Sequence, residues 1–102
     1  MSDTTRSART RTFVVECYQQ ANRRRAAVSA GSRLRESAAT LREGGRAIRY
    51  VGALEVPQDE VIFHVFESAT SGAVEEACRT AGLVFERIVE SIAVNLRLVP
   101  EA

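Results

Sequence analysis

The chain contains a single histidine, His64, and no HxH, CxxC or HExxH spacing. No short motif therefore assembles a preformed metal cage within one subunit. What the sequence offers instead is a constellation. Counting side chains alternately along four extended stretches puts Glu16, Tyr18, Tyr50, His64 and Glu90 on one face of a sheet. A carboxylate beside an imidazole raises the imidazole pKa and orients the ring. That suits a proton shuttle, or a weak transition-metal site with His64 and Glu16 as ligands. Tyr18, Tyr50 and Glu90 would line the surrounding pocket. The structural alternatives are a Glu–His pair at a dimer interface, or a lone hydrogen-bonded histidine of the core or rim.

Other chemistry finds less support. Cys17 falls on the opposite strand face from His64, which argues against a Cys–His pair, and Cys78 falls on the apolar side of a helix. Both read as small buried hydrophobes. Gly44-Gly45 reads as a helix stop rather than a phosphate loop, and the acidic pairs Asp59-Glu60 and Glu75-Glu76 as a solvated turn and a helix face.

The elements that must position these residues are legible from periodicity. Arg49 to Glu67 reads as two strands around the polar turn Pro57-Gln58-Asp59-Glu60. On the return strand Ile62, His64 and Phe66 oppose Val61, Phe63 and Val65, and the latter set is expected to face the core. Thr12 to Tyr18 is a strand with Phe13, Val15 and Cys17 on one face. Asn22 is a candidate cap for a helix over 23–43, whose stripe is Ala27, Ala30, Leu34, Ala38 and Leu41. Arg23-Arg24-Arg25 opens that helix as a solvated first turn or, less naturally, an anion site. Gly31 inside it marks a kink or close packing on the sheet. Thr70 caps a second helix over 71–81, stopped by Gly82, and the last strand spans 87–96.

The order strand, helix, strand, strand, helix, strand predicts an α+β ferredoxin-like βαββαβ sandwich: a four-stranded antiparallel sheet, order 4-1-3-2, with two helices on one face. Phe13, Val15, Val51, Phe63 and Val65 are expected to face the helices. The other face, expected to carry Val14, Tyr18, Tyr50, Leu54, Ile62, Phe66 and Ile92, is too apolar to stand alone, so a homodimer through the helix-free sheet face, a dimeric α/β barrel, is expected.

Composition sets the remaining bounds. The 102 residues form one domain, 12–98, between an N-terminal tail expected to be disordered, 1–11, and a C-terminal tail, 99–102. Apolar residues are 45% and charged residues 26%, ordinary for a soluble domain. The net charge of +1 gives no bulk field toward nucleic acid or a membrane. All 14 basic residues are arginine, read as a composition bias rather than a demand for guanidinium chemistry. Two distant cysteines fit a reducing, cytoplasmic setting, and no apolar run approaches the ~20 residues of a membrane span.

Arg49-Tyr50-Val51-Gly52, Val56-Pro57, Asp59-Glu60, Phe66-Glu67, Ala77 with Ala81-Gly82, and Arg87-Ile88-Val89-Glu90, taken in order, resemble a small ferredoxin-like family common in actinobacteria. That family is a domain of unknown function, and one member is described as a nickel-binding protein. The resemblance covers about residues 12–94. It implies the dimeric α/β barrel and, through that member, nickel or another divalent transition metal. The chain departs from the nickel-binding pattern at Gly52, where a histidine would stand, and at His64, where a cysteine would. Val84 also replaces a proline common in the family. The sequence therefore predicts a cytoplasmic ligand- or metal-binding protein; the alternative is a small α/β-barrel enzyme using Glu16 and His64 for proton transfer. Its partners would be a second copy and a small ligand or metal ion, with neither nucleic acid nor membrane.

Overall fold

The computed structural model describes residues 9–18 and 24–94. Chain order is β1 (Arg11–Tyr18), α1 (Arg24–Glu43), β2 (Ile48–Val56), a short 3-10 turn (Pro57–Asp59), β3 (Val61–Ser68), α2 (Ser71–Thr80) and β4 (Arg87–Ser91). The strands form one antiparallel sheet in the order β2-β3-β1-β4, and the core lies between the sheet and the two helices. This is the ferredoxin-like α+β arrangement. The expected cap Asn22, Arg23 and both chain termini lie outside the described residues.

Local chemistry explains the element ends. Gly45 (φ 97°) follows the end of α1, and the Gly44 amide donates back to the carbonyls of Thr40 and Leu41. Thr70 caps α2 by accepting from the Ala73 amide at 3.1 Å. Gly82 (φ 73°) ends that helix, with the Leu83 amide reaching back to the Cys78 carbonyl. The helices are joined by the buried Ser37 hydroxyl, which donates to the Ala77 carbonyl at 2.9 Å.

Directly opposed residues in an antiparallel sheet share a face, so register gives two sets of cross-strand rows. Beneath the helices run Glu90–Phe13–Phe66–Tyr50 and Ile88–Val15–His64–Ala53, ordered from β4 to β2. On the helix-free face run Val89–Val14–Val65–Gly52 and Arg87–Glu16–Phe63–Leu54. Phe13, Val15 and Cys17 are buried against Leu34, Ala38, Val74 and Cys78, as their spacing predicts.

Three parity expectations are corrected. β3 turns Ile62, His64 and Phe66 inward, while Phe63 and Val65 stay half-buried on the helix-free face. Both faces of β3 are apolar enough to be core, each carrying one phenylalanine, and the face turned inward is the one whose histidine meets a partner in Tyr50. β2 turns Ile48 and Tyr50 toward the helices, and a bulge between Tyr50 and Gly52 resets the alternation after them, leaving Val51 only half-buried. β4 ends at Ser91, so Ile92 to Val94 do not extend it as expected, and the rest of the expected strand lies outside the described residues. Its Ile88 and Glu90 lie on the helix side, and Ile92 and Val94 beyond it are largely exposed.

Candidate functional site

The five residues grouped by alternation do not converge. Glu16 is on the helix-free face, where its carboxylate accepts from Arg87 Nε at 2.7 Å. His64 is 1% exposed beneath the helices, on the opposite side of the sheet. Tyr18 is 64% exposed at the end of β1. Glu90 sits at the sheet margin and accepts from Arg11 at 3.1 Å. Only Tyr50 and His64 meet. The Glu16–His64 ligand pair is therefore not formed within a subunit, and no cluster of three metal-ligating side chains exists among the described residues.

Tyr50 and His64 form a buried dyad. Tyr50 Oη lies 2.9 Å from His64 Nδ1. Burial pushes the His64 pKa down to about 4. Burial pushes the Tyr50 pKa up to about 12, against a smaller lowering by Arg35. Both groups are thus neutral at pH 7. In the Nε2–H tautomer of His64, the Tyr50 hydroxyl donates to Nδ1 and keeps lone pairs to offer. In the Nδ1–H tautomer the imidazole donates, and the hydroxyl hydrogen is left for another acceptor. The dyad can present Tyr50 either way without changing charge.

Tyr50 is the deep wall of a cleft of about 330 Å³ between α1 and the bulged end of β2. That volume is at the lower end of ordinary small-ligand sites, about 300–1,000 Å³. The helix contributes Ala27, Val28, Gly31, Ser32 and Arg35, one stripe at helical spacing. The sheet contributes Tyr50, Gly52, Ala53, Glu55 and Ile62. Gly31 has a definite role, because a Cβ there would stand 3.0 Å from Tyr50 Oη. The glycine lets the helix settle onto the hydroxyl. The Arg35 guanidinium lies 5.1 Å over the centre of the Tyr50 ring, an electrostatically favourable placement.

Comparison with known protein families, curated proteins and solved structures finds no match for this chain.

Two cleft residues, Arg35 and Glu55, escaped the sequence reading, although a signal for each exists. An isolated glycine inside a strand marks a bulge, and a bulge at Gly52 puts Tyr50 and Glu55, which simple alternation sends to opposite faces, on the same one. An isolated glycine inside a helix marks close approach, and Arg35 lies one turn after Gly31 on the same stripe. The cysteines stay outside the site. Burial raises the Cys17 thiol pKa to about 11, with Glu86 and Glu16 adding to the shift, and raises Cys78 to about 12, so neither is a nucleophile at neutral pH.

Proposed function

We propose that this protein is a small-ligand-binding domain whose site is the cleft between α1 and β2. The observation that carries the reading is the placement of Tyr50 and Glu55. They are five residues apart on one strand, and a regular strand would point them to opposite faces. The bulge at Val51–Gly52 brings both onto the cleft. Bulges concentrate where a strand must re-aim a side chain beside a site. Gly52 adopts φ 156°, a region that glycine enters far more readily than other residues.

The same proposal includes a homodimer formed through the helix-free sheet face, giving a dimeric α/β barrel. Support comes from the row Val89–Val14–Val65 and from Phe63 and Leu54 beside it. The charges there are neutralised inside the subunit, by the Arg87–Glu16 and Arg49–Glu67 pairs. A face without unpaired charge can meet its own copy without like-charge repulsion. A cytoplasmic setting is supported by the two free, buried thiols. Among the described residues no helix is long and apolar enough to cross a membrane.

Metal binding and proton transfer through Glu16 and His64 receive less support, because the sheet separates the two side chains and gives each another partner. The test is a fragment screen by NMR on the wild-type chain and on Ala53→Phe, which fills the cleft from an exposed strand position. Fragments should shift amides of α1 and β2 in the wild type and lose that effect in the variant. Shifts that persist in Ala53→Phe, or that never involve these elements, would overturn the assignment.

A further inference from the structure

The cleft carries opposite charges on its two walls, and this narrows its ligand. Arg35 projects from α1 and Glu55 from β2, and both line the same space. Between them the walls are small or apolar: Gly31 and Ala53 leave room, while Val28 and Ile62 offer aliphatic surface.

We infer that the ligand is a small zwitterion, an α-amino acid with a short aliphatic side chain. The inference rests on the reading of the cleft as a ligand site. A guanidinium presents paired N–H donors that match a carboxylate in two parallel hydrogen bonds. Its position over the Tyr50 ring limits the orientations available to it. The Glu55 carboxylate accepts from an ammonium group. The Tyr50 ring, held by its hydrogen bond to His64 Nδ1, forms the buried wall behind them. The aliphatic side chain takes the surface of Val28 and Ile62.

Charge matching also sets what the cleft rejects. A simple carboxylic acid answers Arg35 but leaves Glu55 with the partner it has in the free protein. A simple amine leaves Arg35 in the same position. A dicarboxylate places like charge against Glu55, and in each mismatch only one wall gains a ligand contact while the other charge stays with the partner it has in the free protein. Arg35 and Glu55 both have partners in the free protein, so binding exchanges partners rather than filling vacant positions. Such exchange favours modest affinity over very tight binding.

The experiment is NMR titration of the full chain with L-valine, isovalerate and isobutylamine. L-Valine should bind at least tenfold more tightly than either analogue and shift amides near Gly31 and Ala53. Arg35→Gln and Glu55→Gln should each weaken L-valine at least tenfold. In Glu55→Gln, isovalerate should approach L-valine in affinity. If isovalerate or isobutylamine shifts the cleft amides of the wild type as strongly as L-valine does, the zwitterion is wrong and the cleft remains a ligand site. If L-valine binds but neither charge variant weakens it, the assigned contacts are wrong. If neither these compounds nor the fragment screen touches the cleft, both inferences fall.

Discussion

The Tyr50 hydroxyl and the His64 imidazole meet at 2.9 Å beneath the helices, and this contact makes the burial of the only histidine tolerable. A buried imidazole without a partner loses hydration with nothing in return. The partner comes from the neighbouring strand. Tyr50 pairs with Phe66 across the sheet and reaches diagonally to His64, while packing edge-on against the Phe66 ring at 5.2 Å.

Removing the hydroxyl tests this directly. Tyr50→Phe keeps the ring, its packing on Phe66 and its place under Arg35, but leaves His64 Nδ1 without its partner. The expected loss is about 1–3 kcal/mol, the usual penalty for an orphaned buried polar group. Urea unfolding checks it. Stability equal to wild type would mean that the bond contributes nothing net.

Acid sensitivity follows from the His64 shift, and its sign is determined. The folded pKa, about 4, lies below the ordinary value of 6.5. Between those values the unfolded chain binds a proton that the folded chain refuses. Stability is therefore intact above pH 6.5 and is lost as pH falls toward 4, by about 3 kcal/mol in all. His64→Gln should flatten the decline between pH 6.5 and 5 when unfolding is measured in denaturant at each pH. A variant as acid-sensitive as wild type over that interval would assign the decline to other groups.

Gly31 and Tyr50 should be energetically coupled. Replacing a helix-interior glycine by alanine ordinarily stabilises by about 1 kcal/mol. Here the new methyl would press on Tyr50 Oη at 3.0 Å, and the hydroxyl is held in place by His64. Gly31→Ala should therefore show little or no gain in the wild type. In Tyr50→Phe the nearest ring carbon is 3.7 Å away, an ordinary contact, and the gain should reappear. A double-mutant cycle is expected to return about 1 kcal/mol of coupling. Additivity within error would show that the close approach is relaxed in solution.

Association should depend on the middle of the helix-free face. Val14 lies between Val65 and Val89 in the central row. Light scattering on the wild type should return twice the 11.2 kDa chain mass at micromolar concentration. Val14→Arg should return one chain mass with unchanged far-ultraviolet circular dichroism, because the charge is added to the face away from the core. A monomeric wild type would remove the dimer from the proposal.

The sequence by itself determined the order of elements, the C-terminal stops of both helices, the cap of α2 and the ferredoxin-like fold class, though not the end of β4. Helix stripes, a threonine cap, helix-stopping glycines and a proline-led turn are local features, and each acts within a few residues. It also determined the inward face of β1, because Phe13, Val15 and Cys17 alternate with a charged residue at Glu16. The helix-free position of Glu16 was legible for the same reason. Tertiary structure alone decided the inward face of β3. Ile62, His64 and Phe66 compete there with Val61, Phe63 and Val65, and alternation cannot rank two apolar faces. A histidine looks like the outward side until a tyrosine fourteen residues earlier supplies its hydrogen bond. The bulge in β2 then brought Tyr50 and Glu55 to the same side, since one extra residue reverses the alternation beyond it. Partners and register across a sheet are long-range properties, which is why the fold could be read along the chain while the candidate site emerged only once the strands were paired.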